Sequence, residues 1–466
     1  MDTPARNLRP RAAKSPAATV TATPTRKRSA RSGSSKSPAS GSSSPATKRA
    51  RKSTAASASP DTGTTAAATV SSEGALVNNS SPAGAEPVAA IDADEIYDRQ
   101  IRLWGAAAQQ RLRTARIVLV GDLSRGIAAE AAKNLALAGV GSLTLVDGRT
   151  IDLADTAATT GPNFFISAAR ARARAHTDGE ALETSVAAVV ADGARALNPM
   201  IEIHAVSDPA AVVDENVSED SLHKWVAGND FVIACDVPAP VLDMVNRVTR
   251  ALGARLFAAN VLGLNGFIFA DLLQHDYFIE DSKPPQTKDA DPEVVVTEHT
   301  LTYVPIWTAL DAFSFAETVE SPKLLARTVT MSYLALAAVL AYWRHGNRLS
   351  SGKAHEFEAA ALLKEFQALA SRHGVAHVYA HVTSQELLHM FRGVHTELVT
   401  VTSMMGGLLS QEVVRAIQGK GRPVANFFSH TGDTSSGDVA ALGVVDVSKQ
   451  AIVIESVQLS DDDDDE

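Results

Sequence analysis

Cysteine is almost missing: Cys235 is the only one in 466 residues. That excludes an internal disulfide framework and a Cys-rich zinc site, and it leaves at most one thiol nucleophile. No Gly-x-Ser-x-Gly run occurs, so that nucleophile turn is not expected, and no metal centre is read from the thirteen histidines. Long apolar runs are missing too. The longest, such as Tyr333 to Tyr342, fall short of the roughly twenty residues a bilayer requires. The first residues carry no apolar signal core. The expectation is a soluble, intracellular protein with no membrane partner. Acidic residues are nearly absent from positions 1 to 60, where thirteen Lys and Arg face Asp2 alone; the stated net charge of −10 therefore leaves about −22 for the remainder. The asymmetry separates a tail from a body.

With 45% apolar residues and a mean hydropathy of −0.01, the chain can bury the core of one large or two modest domains. Residues 1–90, built from Ala, Ser, Thr, Pro and Gly with scattered bases, cannot repay the entropy of ordering and read as a disordered tail. It holds two basic clusters, Arg26-Lys-Arg28 and Lys48-Arg-Ala-Arg-Lys52. Such clusters are read by import receptors or attract polyanions by charge. Nuclear import is favoured over a plain solvating tail, and direct nucleic-acid contact ranks last. Ser15, Ser37, Ser44, Ser59 and Thr23 each precede a proline, so phosphorylation would add negative charge there.

From Asp94 the pattern changes. Arg99 to Arg113 has apolar residues at helical spacing and leads to the strand Ile117 to Val120. A turn, a helix over Ala128 to Ala138 closed by Gly139, and the strand Leu143 to Asp147 follow. This is a strand-helix-strand unit of a parallel sheet. Further strands are expected at Ile201 to Ala205, Phe231 to Ala234, Arg255 to Asn260, Gly266 to Asp271 and Val439 to Leu442, and the fold class is α/β, doubly wound and Rossmann-like. The segments are a first part of that domain over 91–281, a loop plus a mostly helical insertion over 282–395, a C-terminal part over 396–448 and an acidic tail over 449–466. Helices are expected at Leu324 to Trp343, Glu356 to Ala370 and Val399 to Gln418, and the polar, Pro-bearing stretch Ser282 to Glu293 reads as a loop.

A phosphate-binding turn needs glycines so that the backbone can approach the phosphate in front of a helix N-terminus. Here the turn reads Gly121-Asp-Leu-Ser-Arg-Gly126-Ile-Ala128, widened between its first two glycines and with Ala at a third position. Asp122 adds a like charge where phosphate would sit. Asp147, ending the next strand, suits either a ribose hydroxyl or a local cap. The turn is retained in shape and weakened in chemistry. Cys235 closes an apolar strand beside Asp236 and reads as a core thiol.

Ahead of this fold lies Tyr97-Asp-Arg-Gln-Ile-Arg-Leu-Trp-Gly105. Arg99 and Arg102, three residues apart, share a helix face with Asp98 beside them. They form either a surface ion-pair set or an arm whose planar, always-charged guanidinium reaches phosphate oxygens. Since the chain's own turn is weakened, such a phosphate would belong to a partner.

That arm, with Ala132-Lys-Asn-Leu135, Ala138-Gly-Val140, Asn198-Pro199, Gly263 to Asp271, His275 to Glu280, Gly406 to Arg415 and Asn426-Phe-Phe428, resembles the small, Aos-type, non-thioester subunits of SUMO-activating enzymes, within the ubiquitin-activating superfamily. The resemblance covers about residues 94–443. It implies a ThiF/MoeB-type adenylation fold in a heterodimer whose large, thioester-forming subunit holds ATP and Mg, with SUMO as the modifier and the nucleus as the compartment. It implies that Arg99 reaches in trans to the partner's ATP phosphates and that this chain holds no cofactor or metal itself. Active halves carry a Gly-rich turn, an Asn-Arg-Gln-Phe segment and a nucleotide-binding Lys. This chain has the widened Gly121 to Ala128 turn, Asn163-Phe-Phe-Ile166 without the following Arg, and no clear Lys. The resemblance therefore implies a regulatory subunit that is inactive alone. The equivalent subunit for the cullin modifier is the nearest rival; a Rossmann oxidoreductase and a nucleic-acid scaffold driven by the tail are more distant ones. Ile452-Val-Ile454 and the acids Asp461 to Glu466 read either as a last strand with a solvated tail or as a strand that adds to a ubiquitin-like fold.

Overall fold

The computed structural model describes residues 93–153, 162–176, 183–211, 214, 216–283, 293–347, 349, 356–432 and 434–454. The basic clusters, the Ser/Thr-Pro sites and the acidic run lie outside them. Two helices, α1 (Ala93–Trp104) and α2 (Ala106–Thr114), lead into β1 (Arg116–Gly121), α3 (Gly126–Ala138) and β2 (Ser142–Val146). A ribbon of β3 (Thr150–Asp152) and β4 (Glu183–Ser185) brackets α4 (Phe164–His176). Next come α5 (Val186–Leu197), β5 (Glu202–Val206), α6 (Glu219–Val226), β6 (Phe231–Cys235), α7 (Ala239–Leu252), β7 (Arg255–Leu262) and β8 (Asn265–Asp271). The remainder is β9 (Gln274–Lys283), β10 (Glu293–Thr302), α8 (Pro322–Thr328), α9 (Met331–Arg344), α10 (Glu356–Arg372), α11 (Ser384–Met390), α12 (Val399–Gln418), β11 (Phe427–Thr431), β12 (Ser436–Ala440) and β13 (Val445–Ile454).

The main sheet runs β12-β11-β8-β7-β6-β1-β2-β5. Its half from β7 to β5 is parallel, and its half from β8 to β12 is antiparallel. Ile117 to Val120 are buried on both faces, as strands covered by helices on each side must be. The fold is thus the expected α/β, doubly wound, Rossmann-like one. The Ala-rich inner face of α3, including Ala128, Ala129, Ala131 and Ala132, brings it so close to α12 that a Cβ on Gly406 would lie 2.4 Å from the Glu130 Cβ.

Several elements depart from the sequence reading. The helix expected over Arg99 to Arg113 is two, because Gly105 takes φ +90° between them. The helix expected over Leu324 to Trp343 is also two, meeting at 60°, and the Thr330 hydroxyl accepts from Tyr333 N to start the second. Where 282–395 was read as loop and helices, β10 is a ten-residue strand pairing with β9 on one side and β13 on the other. Ile452 to Ile454, read as a last strand within the 449–466 segment, are the end of the longer β13 and pair with Val296 to Val294. Among the described residues no single helix is long and apolar enough to cross a membrane.

Candidate functional site

The turn between β1 and α3 closes on itself. Gly121 sits at φ +119°, and a Cβ there would lie 2.0 Å from the Cys235 carbonyl oxygen, so only glycine fits. Asp122 N donates to that same carbonyl at 3.0 Å. Leu123 N donates to Asp147 Oδ2 at 3.0 Å, and Arg149 joins Asp147 to Asp122 with 2.7 Å ion pairs to each. Asp147, a position suited to a ribose hydroxyl, has a fully buried carboxylate committed to the protein's own N–H donors. Asn163 works likewise, donating to Leu123 O at 2.8 Å and accepting from Ile166 N at the start of α4.

The first N–H groups of a helix need an acceptor from outside. Arg125, the N-cap of α3, makes no side-chain cap. Instead the Glu397 carboxylate, two residues before α12, accepts from Gly126 N at 3.1 and 3.0 Å. Its side chain is fully buried, and Arg125 Nε lies 3.5 Å from it and 3.4 Å from Asp236. A carboxylate of the chain thus stands where a phosphate would be attracted. Four carboxylates, Asp122, Asp147, Asp236 and Glu397, share two guanidiniums, Arg125 and Arg149. Burial pushes the Asp236 carboxyl up to about 7; Arg125 opposes this, and Glu397 and Asp122 add to it. Burial also raises the Glu397 and Asp147 carboxyls against the pull of Arg125 and Arg149 respectively. For the Arg149 guanidinium burial acts downward, but Asp147 and Asp122 outweigh it and its pKa is raised. A triphosphate at this helix end would meet Glu397 and Asp122, so the residues present do not fit that group. A cavity of about 320 Å³ beside the turn, lined by Asp122, Arg125, Asp236, Asn260, Trp343 and His395, shares the acidic character. Cys235 is fully buried, and burial followed by the Asp236 charge pushes its thiol well above the ordinary range.

The arm occupies the other end of α3. Gln100 Nε2 donates to Leu137 O at 3.1 Å, which seats α1 by the last turn of a helix whose first turn forms the cradle. Thirteen residues of helix separate the two by roughly 20 Å. The structure therefore does not bring Arg99 together with Gly121 and Gly126. Arg102 pairs with Asp98 at 3.0 Å, whereas Arg99 is exposed and makes no ion pair or hydrogen bond among the described residues. Ile96 and Leu103, a turn to either side of it, are 43% and 76% exposed.

A family model described as ThiF family matches residues 97–442. The chain belongs to the ThiF family. Among its curated relatives, "SUMO-activating enzyme subunit 1" of Xenopus laevis is 31% identical over 362 residues, covering 74% of this chain and 95% of the relative. The Homo sapiens protein of the same name is 29% identical over 365 residues, covering 74% and 94%. A solved structure, "Crystal structure of E. coli MccB + MccA-N7isoASN", aligns with a TM-score of 0.40 and 12% identity over 75% of this chain and 72% of that one. These findings correct the designation drawn from the motifs: the relatives are named by number, as subunit 1, and neither a size class, an Aos type nor a thioester role stands in those names. For this ThiF chain, sequence reasoning had flagged Arg99, Gly121, Gly126 and Asp147, and it missed Glu397, Arg125, Arg149 and Asp236. Glu397 gave no signal because its partner Gly126 is 271 residues away.

Proposed function

We propose that this ThiF chain is subunit 1 of an ATP-dependent activating enzyme for a SUMO-type modifier, acting as the catalytically incomplete half of a heterodimer. The partner subunit holds ATP with Mg and carries the thiol that receives the modifier; this chain contributes Arg99 in trans. One observation carries the reading: the arm is seated at the far end of α3 from the chain's own cradle, with Arg99 turned to solvent between exposed apolar side chains, while Glu397 fills the cradle. A guanidinium remote from the chain's own cradle and flanked by exposed apolar residues suits a contact made by a second protein.

The chemistry needs such a charge. A modifier's C-terminal carboxylate is a poor acyl donor. Its oxygen attacks the α-phosphorus of ATP, the bond to the β-phosphate breaks, and pyrophosphate leaves with the electron pair. The partner's thiolate then attacks the acyl carbon and AMP departs. Positive charge fixed near the departing pyrophosphate stabilises the transition state more than the ground state. The basic clusters Arg26-Lys-Arg28 and Lys48 to Lys52 would carry the chain to the nucleus through an import receptor.

Thioester formation on the candidate partner, measured with ATP and the modifier, tests the reading. The rate is expected to depend on addition of this chain. Full-rate thioester formation without it, or modifier adenylation by this chain alone, would overturn the proposal.

A further inference from the structure

The C-terminal turn of a helix leaves carbonyls without intrahelical donors. In α3 three consecutive ones are met by side-chain amides. Ala136 O accepts from Asn198 Nδ2 at 2.7 Å, Leu137 O from Gln100 Nε2 at 3.1 Å, and Ala138 O from Gln109 Nε2 at 3.3 Å. Two of these amides belong to the arm and the helix after it. The Asn198 amide also donates to Tyr97 Oη at 2.7 Å. Tyr97 is 3% exposed and lies against Gly139, where a Cβ would come within 2.4 Å of its ring; the Arg113 guanidinium sits 5.3 Å from the ring centroid. Gln109 Oε1 accepts from Trp104 Nε1 at 2.9 Å. The arm is therefore pinned at Tyr97 and at Trp104, with Arg99 and Gln100 between the pins.

We propose that Tyr97, Gln100, Gln109 and Asn198 are positioning residues: by clamping α1 onto the carbonyl end of α3 they fix the direction in which Arg99 leaves the subunit. This rests on the reading of Arg99 as a group that acts in trans. It adds the physical reason why a surface arginine can act with precision. A long side chain on a loose arm would sample many directions, and a misplacement of about 1 Å can cost on the order of a hundredfold in rate. Amide donors suit the task because they cap carbonyls without adding charge beside the arginine.

Two measurements on the full chain test the clamp. Hydrogen exchange of the α1 amides in Gln100→Ala/Gln109→Ala should be about tenfold faster than in the parent chain, as expected when local opening becomes easier; unchanged exchange would overturn the clamp. ATP–pyrophosphate exchange by the assembled heterodimer then gives a double-mutant cycle. The double variant should lower kcat by about tenfold when Arg99 is present and by less than about twofold in the Arg99→Ala background. Equal losses in both backgrounds would show a structural effect unrelated to Arg99 and overturn the proposal. Tyr97→Phe, which keeps the ring on Gly139 and loses only the Asn198 bond, should give a smaller loss with the same dependence on Arg99. An Arg99→Ala chain with unaltered kcat, alongside faster α1 exchange in the double variant, would instead sink the trans role and leave the clamp standing.

Discussion

The two ends of α3 are finished by opposite chemistries. At its N-terminus, where a helix attracts anions, a buried carboxylate from a distant segment has moved in. At its C-terminus, neutral amides from the arm, α2 and Asn198 reach the last three carbonyls, with Gly139 N sharing that of Ala136. One end is closed by internal charge; the other mounts an exposed charge. If Arg99 acts in trans as proposed, the contrast teaches how a nucleotide-type fold can keep its scaffold while exchanging a binding role for a contributing one: the same helix that would hold phosphate becomes the mounting bar of an arginine.

The largest test of that contrast is Arg99→Ala. With the heterodimer assembled, ATP–pyrophosphate exchange should fall by about a hundredfold, the scale set by removing one preorganised charge donor; an unaltered rate would erase the distinction between the ends. Next comes Glu397→Ala, which leaves Gly126 N without its acceptor and Arg125 with Asp236 as its remaining carboxylate. It should lower stability by about 1–3 kcal/mol, read as a drop in Tm. Glu397→Gln, which retains an acceptor oxygen, should lose less.

A pH series sharpens the closed end further. The Asp236 carboxyl rises from 3.8 to about 7 on folding, so the native state holds its proton more tightly than the unfolded chain does. Its contribution is fully present below the unfolded pKa and is lost as pH climbs through the folded one. Asp236→Asn should therefore flatten the decline in stability between about pH 4 and pH 7, followed by urea midpoints. Asn suits the site because Asp236 has φ +53°, a region that residue tolerates. The smallest effect is expected at Arg102→Ala. Its pair with Asp98 is exposed on both sides and should contribute less than about 0.5 kcal/mol, with adenylation untouched; an Arg102 effect rivalling that of Arg99 would put the functional charge in the wrong place.

The parallel half of the sheet was legible because Ile117 to Val120 and Phe231 to Cys235 are continuous apolar runs bounded by turns, and Leu143 to Val146 is broken only by the strand-forming Thr144. Strands β9, β10 and β13 were not. They mix charged and apolar residues, as in His275-Asp-Tyr-Phe-Ile-Glu280, because they form a small antiparallel sheet with much of its surface polar, and only the short runs Val294 to Val296 and Ile452 to Ile454 mark β10 and β13. At the cradle, the widened spacing of Gly121 and Gly126 was readable as damage, but what fills the gap was not. A glutamate just before an apolar helix looks like a local feature of that helix, and only the packing of α12 on α3 reveals that it serves another one. Asp147 was legible by position; the turn N–H groups and Arg149 that absorb its charge follow from the bend of the chain after β2.

The pairing of β13 with β10 bears on how this protein can be handled. β13 matches β10 at eight positions, from Val445 to Ile454, and all of them follow residue 442, where the family match stops. A recombinant piece trimmed to that boundary would strip one whole flank of β10 and bare a ladder of thirsty amides and carbonyls alongside Val294, Val295 and Val296. Such a fragment would cling to its own copies, and turbidity there would be a symptom of the cut rather than of the parent chain.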